Sequence, residues 1–150
     1  MDGFASESNK RVPAFFSKLY SQSADGLDGL AQSWVGLHLW LSPPVPLAAK
    51  VILKLVASSE ASGILVVPKW PLASFWSTLF PDGVHFALCV KNWISFRPKY
   101  FSGDAVSSRM FRGVKKWETL AVFITSGVPA ALEPNYSSEF CLKNGCVLCE

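Results

Sequence analysis

The stretch Leu37-His38-Leu39-Trp40-Leu41-Ser42-Pro43-Pro44-Val45-Pro46, answered downstream by Gly63-Ile64-Leu65-Val66-Val67, decides how this chain is organised. Leu37 to Leu41 is a short apolar run halted by two prolines, which predicts a buried strand. Pro46 has no backbone N–H to lose in the first turn of a helix. Leu47, Ala48, Val51, Ile52, Leu55 and Val56 then recur at three- and four-residue spacing as one buried helical stripe. Gly63 is placed to stop that helix. Ile64 to Val67 is a β-branched run of the kind found in the middle of a parallel sheet.

Working outward, Pro71 restarts a helix with Phe75, Trp76, Leu79 and Phe80 on its inner face, and Pro81-Asp82-Gly83 closes it as a turn. Val84 to Val90 reads as another strand, with Ile94 to Phe96 as its extension or partner, and Leu120 to Ile124 as the last strand. Upstream, residues 1–6 read as the end of a strand or the loop after it. Val12 to Leu19 supplies apolar anchors, and Ser21 to Gly29 is loop. Alternating strands and helices predict an α/β domain over residues 1–125, with a largely parallel sheet and helices packed on it. Residues 126–150 are expected to be an irregular C-terminal tail.

Composition sets the limits. Half of the 150 residues are apolar, enough for one domain with a substantial core. The net charge of +3, from 14 basic and 11 acidic side chains, permits contact with DNA without requiring it. The densest basic stretch runs through Lys91, Arg97, Lys99, Arg109 and Arg112 to Lys115 and Lys116, interleaved with Trp93, Phe96, Tyr100, Phe101 and Phe111. That mixture suits a surface that tracks phosphates and stacks bases; the alternative is an edge strand and loop with solvated charges. The opening residues are polar rather than a secretory leader. The longest greasy region, Leu37 to Ala57, is cut by Pro43, Pro44 and Pro46 and carries Lys50 and Lys54, so no membrane span is expected. An intracellular protein, of nucleus or cytoplasm, is the default.

Cys141, Cys146 and Cys149 form a C-x4-C-x2-C tail. A structural zinc site needs a fourth ligand, which His38, His85 or Cys89 would have to bring from the domain body. The competing reading is a reduced tail, and no metal is assigned. Asp2, Asp28 and Glu60 do not have metal-ligand spacing. His38 and His85 each lie in a predicted strand, where a core or edge histidine is commoner than a base.

In open α/β sheets, ligands bind beyond the carboxyl ends of the strands. Two segments are expected there, Asp2-Gly3-Phe4-Ala5-Ser6 and Ser42-Pro43-Pro44-Val45. The order Asp2-x-Phe4-Ala5-Ser6, Asn9, Phe15-Phe16, Asp28-Gly29-Leu30, Gln32, Trp34, Trp40, Pro43-Pro44, Gly63 to Pro68 and Trp70 resembles the phage-type DNA N6-adenine methyltransferase family. It is still more similar to the version embedded in Pol polyproteins of tyrosine-recombinase retrotransposons of the DIRS and Ngaro types, between RNase H and recombinase domains. The segment 71–80 and Phe111-Arg112-Gly113 add to that likeness, which covers about residues 1–125.

The resemblance implies a Rossmann-like methyltransferase sheet. It assigns Asp2, Phe4, Ala5 and Asp28 to the S-adenosylmethionine side, with capping of a helix over 29–34 as the alternative role for Asp28. The family's tetrapeptide is Asp/Asn-Pro-Pro-aromatic, because the delocalised amine of adenine needs two acceptors for its hydrogens and a ring to hold the flipped base. Here Ser42 stands at the acceptor position and Val45 at the stacking position, where a lost ring forfeits roughly 1–3 kcal/mol. The chain also has only Met1 ahead of Asp2, so the sheet is expected to be incomplete and truncated at its N-terminus. The expected function is a non-catalytic remnant, binding no cofactor and serving at most as a structural or nucleic-acid-contacting module. The alternatives are an active S-adenosylmethionine-dependent adenine methyltransferase, or a host interaction protein using Trp93, Tyr100 and Phe101 as anchors.

Overall fold

The computed structural model describes residues 1–97 and 118–127. Among the described residues seven strands form one sheet: β1 (Asp2–Ala5), β2 (Phe15–Ser17), β3 (Gly26–Leu27), β4 (His38–Leu41), β5 (Ser62–Pro68), β6 (Val90–Phe96) and β7 (Thr119–Thr125). Their spatial order is β3-β2-β1-β4-β5-β7-β6. The first five run parallel, whereas β7 lies antiparallel between β5 and β6. The domain is therefore α/β, with a mostly parallel mixed sheet.

Over residues 37–67 a strand, a helix and a strand follow one another as their patterns predict, with a difference at Gly63. Leu39 and Leu41 are buried on β4, and a single 3-10 turn over Val45–Leu47 leads into helix α1 (Ala48–Ala57). Ala48, Val51, Ile52 and Leu55 are its buried face, packed against β5, β7 and the short helix α2 (Trp76–Leu79). Leu65 and Val67 of β5 and Leu120, Val122 and Ile124 of β7 complete this core with Trp34, Phe75, Leu79 and Phe80.

Gly63 does not end α1. The helix stops at Ala57, where Ser58 turns extended and its hydroxyl donates to the Lys54 carbonyl at 2.8 Å. Gly63 lies inside β5, where a Cβ would stand 3.0 Å from the Leu39 carbonyl oxygen and 3.1 Å from Leu41 Cδ1. Its role is close packing of β5 on β4 rather than helix termination.

Three further expectations are corrected. Of the two readings of residues 1–6, the loop is replaced by the strand: Asp2–Ala5 is β1, paired on both sides in the interior of the sheet. The helix after Pro71 is a single turn, because successive i→i+3 bonds from Ala73 to Trp70 and from Trp76 to Ala73 precede it. Val84–Cys89 is not a strand, and β6 begins only at Val90.

The cause of that last difference is Asp82. Its carboxylate accepts the backbone N–H of His85 at 2.7 Å and of Val84 at 2.9 Å, and meets His85 Nδ1 at 2.7 Å. Such local bonds compete with sheet pairing. They hold the Asp82 carboxyl down at about 2, the backbone bond from His85 contributing most. A carboxylate whose value is depressed on folding stabilises the turn above its ordinary value of 3.8, and that contribution is lost as pH falls through about 2. The amide resonances of Val84 and His85 should therefore titrate with a midpoint near 2; a midpoint near the ordinary value would contradict the geometry.

Candidate functional site

The chain leaves β1 for β2 and β3 on one side, then returns to lay β4 against the other side of β1. The gap between the carboxyl ends of β1 and β4 is a topological switch point, where open α/β sheets bind ligands. Asp2 pairs with Trp40 in parallel register, so β1 and β4 run side by side toward that end. Ser6, which follows β1, and residues 42–45, which follow β4, thus leave neighbouring parallel strands toward the same end of the sheet, whereas 2–5 are β1 itself.

Within that gap the groups are largely occupied by the protein itself. Asp2 is only 2% exposed; one carboxylate oxygen accepts the Phe4 N–H at 3.2 Å and the other the Arg11 N–H at 3.0 Å. It ties β1 to the connection that follows. Ala5 is buried and Phe4 half-buried. Ser42 is exposed, Pro43 buried, Pro44 exposed and Val45 half-buried. The Pro44 carbonyl, which two prolines would leave free of any ladder, accepts the Leu47 N–H at 2.8 Å as the 3-10 turn closes.

Asp28 follows β3 and does not cap a helix, since residues 29–31 form a turn and 32–34 no regular element. Its carboxylate accepts the Leu30 N–H at 3.1 Å, and its backbone is left-handed, with φ of 51°. This geometry swings the chain from β3 back across β2. Gly29 then sits so close to β1 that a Cβ there would lie 2.2 Å from the Gly3 carbonyl oxygen. Trp34, buried, locks the loop by donating Nε1–H to the Gly29 carbonyl at 2.8 Å. Asp28 itself is exposed, and its loop packs on β1 through Gly29.

Sequence reasoning missed the polar hub just beyond this junction. Glu7 accepts hydroxyl bonds from Ser23 and from Ser21 at 2.9 Å, and pairs with Lys10 at 3.2 Å. Those contacts, Ser23 first, hold its carboxyl below the usual range. The serines at 21 and 23 signal a loop in sequence, but their partner fourteen to sixteen positions upstream leaves no local pattern.

Of the basic set, Lys91 lies on β6 and Arg97 directly after it. Lys91 donates to the Leu88 carbonyl at 3.0 Å, and Arg97 is 3.9 Å from Glu118. Glu118 also holds Lys69 at 3.0 Å and Ser95 at 3.1 Å, and these bonds, led by Lys69, lower its carboxyl. Lys99, Arg109 and Arg112 lie outside the described residues, as do Tyr100 and Phe101. Trp93 is half-buried against Phe86, ring centroids 5.4 Å apart, so it is a packing residue more than a free anchor.

Neither histidine sits in an apolar core. His38 is exposed with Nδ1 2.6 Å from Ser62 Oγ, and His85 lies in the Asp82 turn rather than a strand. Cys89 is buried and free, and burial pushes its thiol up. Among the described residues no group of three or more His, Cys, Asp or Glu is placed to hold a metal; Cys141, Cys146 and Cys149 lie outside them. Among the described residues, too, no helix is long and apolar enough to cross a membrane. Comparison with known proteins returned no matching family model, no matching curated protein and no matching solved structure.

Proposed function

We propose that this chain is a non-catalytic, methyltransferase-like module of retrotransposon origin, whose remaining role is structural or nucleic-acid-contacting. Its strand order is the doubly wound 3-2-1-4-5-6 with one reversed strand, β7, inserted before β6. That supports a Rossmann-like reading of the sheet. The observation that carries the functional reading is the tetrapeptide at the switch point. An exposed hydroxyl at Ser42 and a half-buried aliphatic side chain at Val45 stand beside β1, where the resembled family has an amide or carboxylate and an aromatic ring.

The chemistry follows from those two side chains. Ser42 offers a shorter acceptor that must also place its own proton. Val45 presents no π face to an extruded adenine. Asp2 already accepts two backbone N–H bonds in a buried position, which makes it a strut of the β1 junction. Lys91 and Arg97, with the further cations of the 98–116 region, are the groups for phosphate contact.

The test is direct. Purified protein mixed with labelled S-adenosylmethionine and adenine-containing duplex DNA should transfer no methyl group and retain no cofactor at millimolar concentration. Measurable transfer would overturn the reading. In parallel, DNA affinity should fall as salt rises, with a shallow log–log slope of about −1 to −3 for a few phosphate contacts. A flat response would remove the nucleic-acid role and leave the structural one.

A further inference from the structure

The Glu7 hub joins the connection after β1 to the connection after β2. Glu7 lies in a turn where the Asn9 and Lys10 N–H groups both donate to the Ser6 carbonyl, at 3.2 and 3.1 Å. Ser21 and Ser23 lie between β2 and β3, and both hydroxyls donate to the same oxygen of Glu7, Oε2. Lys10 takes the other oxygen, Oε1, at 3.2 Å. One carboxylate thus ties two loops together through side chains alone.

Around these hydroxyls the chain is open to solvent. Leu19 and Tyr20 are 76% and 81% exposed, and Lys18, Gln22 and Ser23 are exposed as well. Ser21 itself is half-buried under Glu7, in a segment whose neighbours on either side reach into water. A surface loop of this kind can be drawn into an enzyme's cleft without disturbing the core. Ser21 is also followed by Gln22, the only Ser-Gln step in the 150 residues. A side-chain amide directly after the hydroxyl offers both hydrogen-bond donors and an acceptor, which is what an enzyme needs to pick this serine from the others.

We infer that Ser21 is a phosphorylation site whose phosphate opens the hub by expelling Glu7. The phosphoryl donor is ATP, bound to a serine kinase that reads the following glutamine. Ser21 Oγ bonds to the γ-phosphorus, and the bond from that phosphorus to the β–γ bridging oxygen breaks. ADP leaves, and the hydroxyl proton passes to the kinase's base. The product carries about −1.5 to −2 charges where a neutral hydroxyl had donated to Glu7 at 2.9 Å. A donor becomes an acceptor facing a carboxylate, so attraction turns into repulsion. Lys10 is the one cation bonded to Glu7 among the described residues, and a single positive charge does not offset both anions. The 6–10 turn and the 18–24 loop then part, at the end of the sheet where Ser6 leaves β1. This inference stands independently of whether the switch point ever bound a cofactor.

The experiment incubates the full chain with ATP and a glutamine-directed serine kinase, and locates the phosphate by mass spectrometry. Phosphate should appear on Ser21 and be lost in Ser21→Ala. Hydrogen exchange of the Asn9, Lys10 and Ala24 amides, followed by NMR, should then quicken by about tenfold, because their turn bonds are held in place by the hub. Glu7→Gln separates charge repulsion from bulk: it removes the carboxylate's charge, so phosphorylation of that variant should leave exchange within about twofold of its own unmodified form. Should Glu7→Gln fail to fold, Glu7→Ala serves in the same comparison. Absence of phosphate on Ser21 would overturn the inference. So would unchanged exchange after phosphorylation, or quickening of equal size in the Glu7 variant.

Discussion

Replacing Gly29 with alanine is expected to be among the most damaging single-methyl changes in this protein. The new Cβ would stand 2.2 Å from the Gly3 carbonyl oxygen, and that oxygen belongs to the backbone of β1, paired on both sides. No side chain can rotate away to relieve the contact. Either the 28–34 loop lifts, freeing the Trp34 anchor, or β1 is displaced from its neighbours. Overpacking of this kind costs about 3 kcal/mol or more, which lowers the melting temperature by about 10 °C in a domain of this size. Thermal unfolding followed by circular dichroism checks it. Gly36→Ala is the control: its φ of 68° makes alanine strained, yet nothing lies within 4 Å, so its cost should stay near 1 kcal/mol. Equal effects at the two glycines would refute close approach as the cause.

Trp34→Ala should be comparably severe. The indole is 1% exposed, joins the main core, and lies beneath Lys54, whose Nζ is 5.1 Å from the ring centre. Truncating a buried tryptophan costs about 3–5 kcal/mol. Trp34→Phe separates the two contributions: it keeps most of the apolar contact and leaves the Gly29 carbonyl without its Nε1–H donor. That variant should lose about 1–2 kcal/mol. Urea unfolding of both gives the comparison, and losses of equal size would mean that the hydrogen bond, not the packing, dominates. Because Trp34 and Gly29 hold one loop, the double variant with Gly29→Ala should fall short of the sum of the single losses.

Where periodicity is local, the sequence speaks clearly. The 37–67 unit and the last strand carry uninterrupted apolar patterns, and a helix or strand either satisfies such a pattern or does not. At Asp2–Ala5 a strand and a loop look alike in sequence, because four residues are too few to show a period. The fault at Val84–Cys89 has a different origin. Its residues suit a strand, but Asp82 captures the two amides that would have begun one. Of the two segments expected at strand ends, 42–45 does follow a strand, whereas Asp2–Ala5 is the strand β1 itself. The inner wiring of the site was not legible. Asp2 to Arg11, Glu7 to Ser21 and Ser23, and Gly29 against Gly3 are contacts between positions whose spacing follows no repeat. The antiparallel insertion of β7 was equally invisible, because a strand's direction leaves no mark in its composition.

That insertion governs how the chain is made. β5 ends at Pro68, and its register partner Thr119 begins β7, so 119 − 68 = 51 further positions must be added before the pair can start to form. At roughly 5–20 residues per second, a nascent chain carries an open β5 edge for about 3–10 s during synthesis. For that interval Ser62–Pro68, apolar and uncharged, is the segment through which two unfinished chains on one messenger would meet.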